Sequence, residues 1–289
     1  MPQVSIIILN YNTFQLTCNC IESIIQFTKN ITYEIILVDN KSTECNADLF
    51  KEKFSSIILI KSNENGGFAK GNNLGIAQAS GDFILLLNSD TYLIEDAISK
   101  IYAYAKSVDD FAFFGCRIIY PDGKIQHTAR KFRSISWELF DLFRIFLFLL
   151  SYKKRAQLML GKYFKSDFNI QCDWLNGAFF MFPKSILNKL PYNKLDERFF
   201  MYAEDHLWCW QLKQLGFSCF FYHETTIVHY NNGSTSKQKQ LSLRNVMLKH
   251  ELEIMKLRKG AGLYYCIFKL IYSTKEKLRI FFWKLFLKN

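Results

Sequence analysis

The last 53 residues of this 289-residue chain, from Lys237, hold no uncharged run of the roughly 18 residues that a helix needs to cross a bilayer. The opening residues, MPQVSIIILNYN, lack a basic stretch followed by an apolar core and a small-residue cleavage site, so the chain is expected to stay in the cytoplasm. Cysteine pairs of CxxC spacing are missing too. The eight cysteines are scattered at 18, 20, 45, 116, 172, 209, 219 and 266, and Cys18 and Cys20 do not have CxxC spacing. They are read as reduced and mostly buried, without a zinc or disulfide framework. Neither GxxxxGK[ST] nor a GxGxxG after the first apolar run occurs, which counts against a phosphate-loop nucleotidase and a dinucleotide dehydrogenase. Internal repeats and low-complexity linkers are absent as well.

What is present is a large apolar fraction, 49 % hydrophobic residues, enough to bury a sizeable core. The net charge of +11 is concentrated: from Lys237 onward there are 13 Lys and Arg against 3 Glu, while the remaining 24 basic and 23 acidic residues nearly cancel. In that tail the bases alternate with bulky apolar residues, LYYCIFKLIYSTKEKLRIFFWKLFLKN. This pattern suits an anionic membrane surface rather than nucleic acid; the alternative is a helix packed on the body by its apolar face.

The first 120 residues alternate short β-branched runs (VSIIILN, EIILVD, SIILIKS, FILLLNSD, FAFFGCRIIY) with helical stretches. Near-continuous apolar strands between amphipathic helices predict an α/β fold with a parallel sheet covered on both faces. Ligands bind at the carboxyl edge of such sheets. Asn10, Asp39 and Asn88 each end a predicted strand and should converge there. Residues 124–170 break the pattern with a basic patch (His127, Arg130, Lys131, Arg133) and the apolar stretch WELFDLFRIFLFLLSYKKR, read as an interfacial helix, a lid, or an ordinary buried helix.

The segment NENGGFAKGNNLGIAQASGDFILLLNSDT, residues 63–91, places glycines at 66, 67, 71 and 75 around a helix start, where backbone N–H groups favour an anion. Asn88-Ser89-Asp90 then closes an apolar strand with a carboxylate. That arrangement suits Mg²⁺ or Mn²⁺ held together with substrate phosphates; the plain alternative is that Asp90 caps the next helix.

The order of VSIIILNYN, EIILVDNKS, NGGFAKGNNLGIAQASGDFILLLNSDT, NGAFFMF, DERFFMYAED and HYNNGS, over residues 3 to 235, resembles glycosyltransferase family 2, in particular its rhamnosyltransferase-like bacterial members. The resemblance implies a GT-A fold: a Rossmann-like, mostly parallel sheet with helices on both faces, here over residues 1–236 (nucleotide-binding half 1–120, acceptor half 121–236), followed by an amphipathic helical tail, 237–289. It implies that Tyr11 and Asp39 lie at the nucleoside base, that Asn72, Asn73 and Asn88 lie by the nucleotide, and that Asp90 and His229 hold a divalent cation. It also implies that Asp205 is the catalytic base, with Glu204 assisting. One-step inversion needs a carboxylate opposite the leaving group to accept the hydroxyl proton.

Three positions depart from the family pattern: Ser89 where Pro is frequent, Leu207 where a second Asp is common and Gln211 where Arg is common. The implied activity is transfer of a hexose or deoxyhexose, rhamnose included, from a UDP- or dTDP-sugar to a lipid-linked or cell-surface glycan, at the inner face of the cell membrane. The competing readings are a non-catalytic sugar-nucleotide-binding scaffold with the same fold, and a nucleotidyltransferase.

Overall fold

The computed structural model describes residues 1–108, 112–231 and 237–286. Phe111, the end of the HYNNGST loop (residues 232–235) and residues 287–289 of the tail lie outside them. The chain forms two compact units, one of Met1–Lys131 with Leu160–Asn232 and the other of Phe132–Met159 with Gly233–Asn289. The stretch 132–159, which the sequence assigns to the acceptor half, therefore clusters with the C-terminal helices.

In the first unit the apolar runs become β1 (Val4–Asn10), β2 (Tyr33–Asp39), β3 (Ile58–Lys61) and β4 (Phe83–Asn88), all parallel, joined through α1 (Phe14–Phe27), α2 (Asp48–Lys53) and α3 (Gly67–Gln78). Next come β5 (Thr91–Leu93), α4 (Ala97–Lys106), β6 (Ala112–Ile119) and β7 (Ile125–Gln126). The second unit takes α5 (Ile135–Leu142) and α6 (Tyr152–Met159), and the first resumes with β8 (Ile170–Cys172), β9 (Phe179–Pro183), α7 (Glu204–Gln214) and β10 (Ser218–His229). The sheet order is β3-β2-β1-β4-β9-β6-β10-β5, with β7 on β6 and β8 on β10. FAFFGCRIIY thus forms β6 but does not neighbour β4. The antiparallel β9 inserts between them, pairing Leu85 with Met181 and Phe114 with Met181.

Period-two alternation assigns the two faces of β1. Val4, Ile6 and Ile8 join Cys20, Ile21 and Ile24 of α1 and Ile98 and Ile101 of α4 in one buried cluster. Ile7 and Leu9 point the other way, onto α3. There a Cβ on Gly71 would sit 2.4 Å from Leu9, and one on Gly75 2.5 Å from Ile7. These two glycines, expected at a phosphate loop, instead let helix and sheet approach closely.

The second unit holds α5, α6, α8 (Lys237–Lys259) and α9 (Leu263–Phe286). Met255, Phe268 and Tyr272 form its small core, packed by Ile135, Leu248, Leu252 and Tyr264. Around it lies a buried ionic network: Arg133 pairs with Glu138 at 2.7 Å, and Lys275 pairs with Glu138 and, at 2.9 Å, with Asp141. Among the described residues no helix is long and apolar enough to cross a membrane, and all eight cysteines are free, six of them buried.

Candidate active site

Strand register brings the expected polar ends together. Asn10 lies opposite Asp39, and Asn88 opposite Leu9. Asn10 Nδ2 donates to Asp39 Oδ1 at 2.8 Å, while Thr13 and Thr17 donate to Asn10 Oδ1 at 2.9 Å each. Ser42 N–H donates to Asp39 Oδ2 at 3.0 Å. Asp39 is thereby fixed in orientation, and Tyr11 stands exposed beside it at the strand end.

The start of α3 differs from the sequence reading. Gly66 N–H donates to Asn40 Oδ1 (3.1 Å), Gly67 N–H to Asn65 Oδ1 (3.1 Å) and Phe68 N–H to Phe200 O (2.8 Å). These groups already have internal acceptors, so this helix start is not an open anion site. Gly67 has φ +80°, and a Cβ there would lie 2.2 Å from Phe200 O. The turn ties α3 to the loop before α7. Asn73 is used the same way: its amide donates to Leu195 O and Glu197, and its oxygen accepts Leu195 N–H. Asn72 is buried and donates to Phe68 O at 2.9 Å. Asn72 and Asn73, expected beside the nucleotide, are thus both engaged in hydrogen bonds within the protein.

Asp90 does not cap α4. That cap is Asp96, which accepts Ser99 N–H. The antiparallel β5–β10 register sets His229 opposite Thr91, and Tyr230 N–H donates to Asp90 O, which brings His229 Nε2 within 3.1 Å of Asp90 Oδ1. Gln126 on β7, unremarked in the sequence, sets the ring. Its Nε2 donates to the backbone oxygen of His229 at 2.6 Å, which leaves Gln126 Oε1 facing His229 Nδ1 at 2.9 Å. A carbonyl oxygen only accepts, so the amide orientation follows and Nδ1 must carry the proton. Nε2 is then the ring nitrogen that faces Asp90 Oδ1. Asn88 stands beside them with Nδ2 3.4 Å from His229 Nε2 and a buried Oδ1 that has no partner among the described residues. An imidazole nitrogen, a carboxylate and an unpartnered carbonyl oxygen at one strand edge suit a divalent cation that completes its shell with water and phosphate.

Asp205 opens α7 behind two residues with left-handed backbones, Tyr202 (φ 72°) and Ala203 (φ 73°). Strain of this kind is kept where the surroundings demand it. Gly177 N–H donates to Asp205 Oδ2 at 2.9 Å, and the next residue, Ala178, accepts Asn88 N–H at 3.1 Å. One short backbone segment thus links the Asp205 carboxylate to the Asn88–Asp90 edge. A stack missed in the sequence lies against it: Arg130 over Trp174 at 5.3 Å, and Trp174 over His206 at 5.1 Å.

The sequence pattern described as Glycosyl transferase family 2 matches residues 5–190, from β1 through β9. The chain belongs to that family. A poly(ribitol-phosphate) beta-glucosyltransferase of Bacillus spizizenii is 34 % identical over 109 residues, covering 36 % of this chain and 17 % of that protein. An Escherichia coli UDP-Glc:alpha-D-GlcNAc-diphosphoundecaprenol beta-1,3-glucosyltransferase is 41 % identical over 102 residues, covering 35 % of this chain and 40 % of that protein. Each match thus spans less than half of the relative. Among solved structures, a Pyrobaculum calidifontis mannosyltransferase in complex with GDP-Man and Mn²⁺ superimposes over 95 % of this chain and 69 % of its own, with TM-score 0.61 at 13 % identity. Staphylococcus aureus TarS residues 1–349 superimpose over 87 % of this chain and 69 % of their own, with TM-score 0.54 at 14 % identity. These likenesses show a shared fold.

In this family 2 chain the two acidic residues of α7 differ in environment. Glu204 is buried, its Oε1 without a hydrogen-bond partner, and burial together with the adjacent Asp205 charge pushes its pKa up to about 8. Asp205 is only partly buried. Desolvation raises its pKa, but the N–H groups of Gly177 and His206 and the positive charge of Arg130 pull it back. Burial therefore raises both carboxyls, but only Asp205 has backbone N–H donors that favour its charged form. The departures at Leu207 and Gln211 are accommodated within the fold: Leu207 is fully buried, and Gln211 donates to Asp196 at 2.8 Å.

Proposed function

We propose that this chain transfers a hexose or deoxyhexose from a UDP- or dTDP-sugar to a hydroxyl of a lipid-linked or cell-surface glycan, with inversion and with a bound divalent cation, at the inner face of the membrane. The observation that carries the reading is the Asp205 carboxylate, held by Gly177 N–H one residue from the segment that meets the Asn88–Asp90 edge. The acceptor oxygen attacks the anomeric carbon as its proton passes to Asp205. The bond from that carbon to the diphosphate oxygen breaks, and the nucleoside diphosphate leaves. A cation held by Asp90 and His229 supplies neutralisation of the charge that builds on the diphosphate. Asn10 and Ser42 keep Asp39 oriented toward the base, with Tyr11 beside it. The two relatives, a poly(ribitol-phosphate) and a diphosphoundecaprenol glucosyltransferase, support a cell-envelope acceptor, and the basic tail supports the membrane location.

Asp205→Asn tests the assignment. The amide preserves shape but does not accept the proton, so turnover should fall by about two to four orders of magnitude while nucleoside diphosphate affinity stays within a few-fold of wild type. Wild-type turnover in the variant would reduce Asp205 to a helix-start residue, and lost donor affinity would move it to the nucleotide site. The donor is read from thermal stabilisation by a panel of UDP-, dTDP- and GDP-sugars with Mn²⁺.

A further inference from the structure

We propose that the second unit presents a lipid-facing surface, formed by the segment from Leu139 to Leu150, whose partner is an anionic bilayer. The inference deepens the membrane location proposed above and rests on it. α5 has the reverse of the polarity expected of a helix in water. Glu138 and Asp141, at i and i+3, are buried, while Leu139, Phe140 and Leu142 face outward, followed by the equally outward Phe143. The buried carboxylates are matched by cations of the same unit, since Lys275 donates to both and Arg133 to Glu138. The ionic anchors hold the inner side of α5, so the outward apolar side chains are a built feature of the helix.

The chain then continues as a 3-10 turn, Arg144–Leu149, in which Ile145, Phe146, Phe148 and Leu149 are 64 to 84 % exposed and Leu147 turns inward. Large apolar side chains in this number, contiguous in sequence, exceed what water-facing surfaces tolerate without a partner. Charge identifies the partner: from Leu142 to Met159 there are four basic residues, Arg144, Lys153, Lys154 and Arg155, and no acidic one. Arg155 stacks over Phe148 at 4.6 Å, a cation lying beside an apolar tip. Protein surfaces carry both signs; apolar tips rimmed by cations alone match acyl chains beneath anionic headgroups.

The test compares the full chain with the exposed-residue variant Ile145→Asp/Phe146→Asp/Leu149→Asp, by co-sedimentation with vesicles of phosphatidylglycerol and phosphatidylcholine. Wild type should bind, and the variant should partition about tenfold or more weakly. Its circular dichroism and nucleoside diphosphate affinity should not change. Leu149→Asp alone, the most exposed position at 84 %, is the second variant and should weaken binding in the same direction. If wild type binds and both variants bind equally well, this surface is wrong while the membrane location stands. If wild type does not bind, both fall. Equal binding to pure phosphatidylcholine would overturn the anionic partner. A lipid-free wild-type dimer that the triple variant converts to monomer would assign the surface to a second copy of the chain and overturn the proposal.

Discussion

At the scale of single residues, two side chains decide the chemistry of the proposed site without touching substrate. Gln126 fixes the His229 tautomer because its amide is oriented by a backbone oxygen that accepts and cannot donate. Gln126→Leu should leave the fold intact and lower Mn²⁺ affinity about 10- to 100-fold, the usual effect of losing a group that orients a metal-binding histidine. Calorimetric titration of Mn²⁺ in the presence of nucleoside diphosphate measures it, and unchanged affinity would remove Gln126 from the site. Glu204 is the second. A carboxyl whose folded pKa lies above its unfolded one binds an extra proton in the folded state, so its contribution is intact below about 4.5 and is lost as pH rises to about 8. Glu204→Gln has no such loss. Its melting temperature should gain on wild type steadily between pH 5 and pH 8, and parallel curves would show that Glu204 ionises normally. Neither role was legible beforehand: nothing around Gln126 marks it in the sequence, and Glu204 and Asp205 are adjacent letters that only burial separates.

At the scale of elements, strands β1 to β4 and helices α1, α3 and α4 follow from pattern alone, because buried parallel strands are apolar on both faces and their ends expose polar residues, whereas the short α2 and β5 carry no such signal. The glycines show where pattern misleads. The sequence associates all four with an anion loop, yet Gly71 and Gly75 pack against Leu9 and Ile7 and the helix start is filled by Asn40, Asn65 and Phe200. α5 misleads in the opposite sense, since its apolar stretch reads equally well as a buried helix until Glu138 and Asp141 turn out to face inward. Lys275 joins α9 to α5, so Lys275→Met leaves Glu138 and Asp141 short of a buried cation. The second unit should lose about 3 kcal/mol of stability, and Lys275→Arg should recover part of it. Denaturant titration, with limited proteolysis of 132–159 as a local probe, measures the loss; an unaltered midpoint would show that Arg133 suffices alone.

At the scale of the whole molecule, family 2 membership and the α/β fold rest on segments that carry their signal locally: VSIIILN, EIILVD, FILLLNSD and the order in which they follow one another. The sequence by itself determined these strands, their parallel pairing and the convergence of Asn10, Asp39 and Asn88, because apolar runs and strand direction leave few alternatives. Only the tertiary structure decided that β9 enters between β4 and β6, that 132–159 joins the C-terminal helices, and that His229 meets Asp90. Those outcomes depend on register between strands and helices far apart in the chain, where a shift of one residue reverses which side chains face each other. Local pattern does not encode such a shift, and only the packing of the complete core selects it.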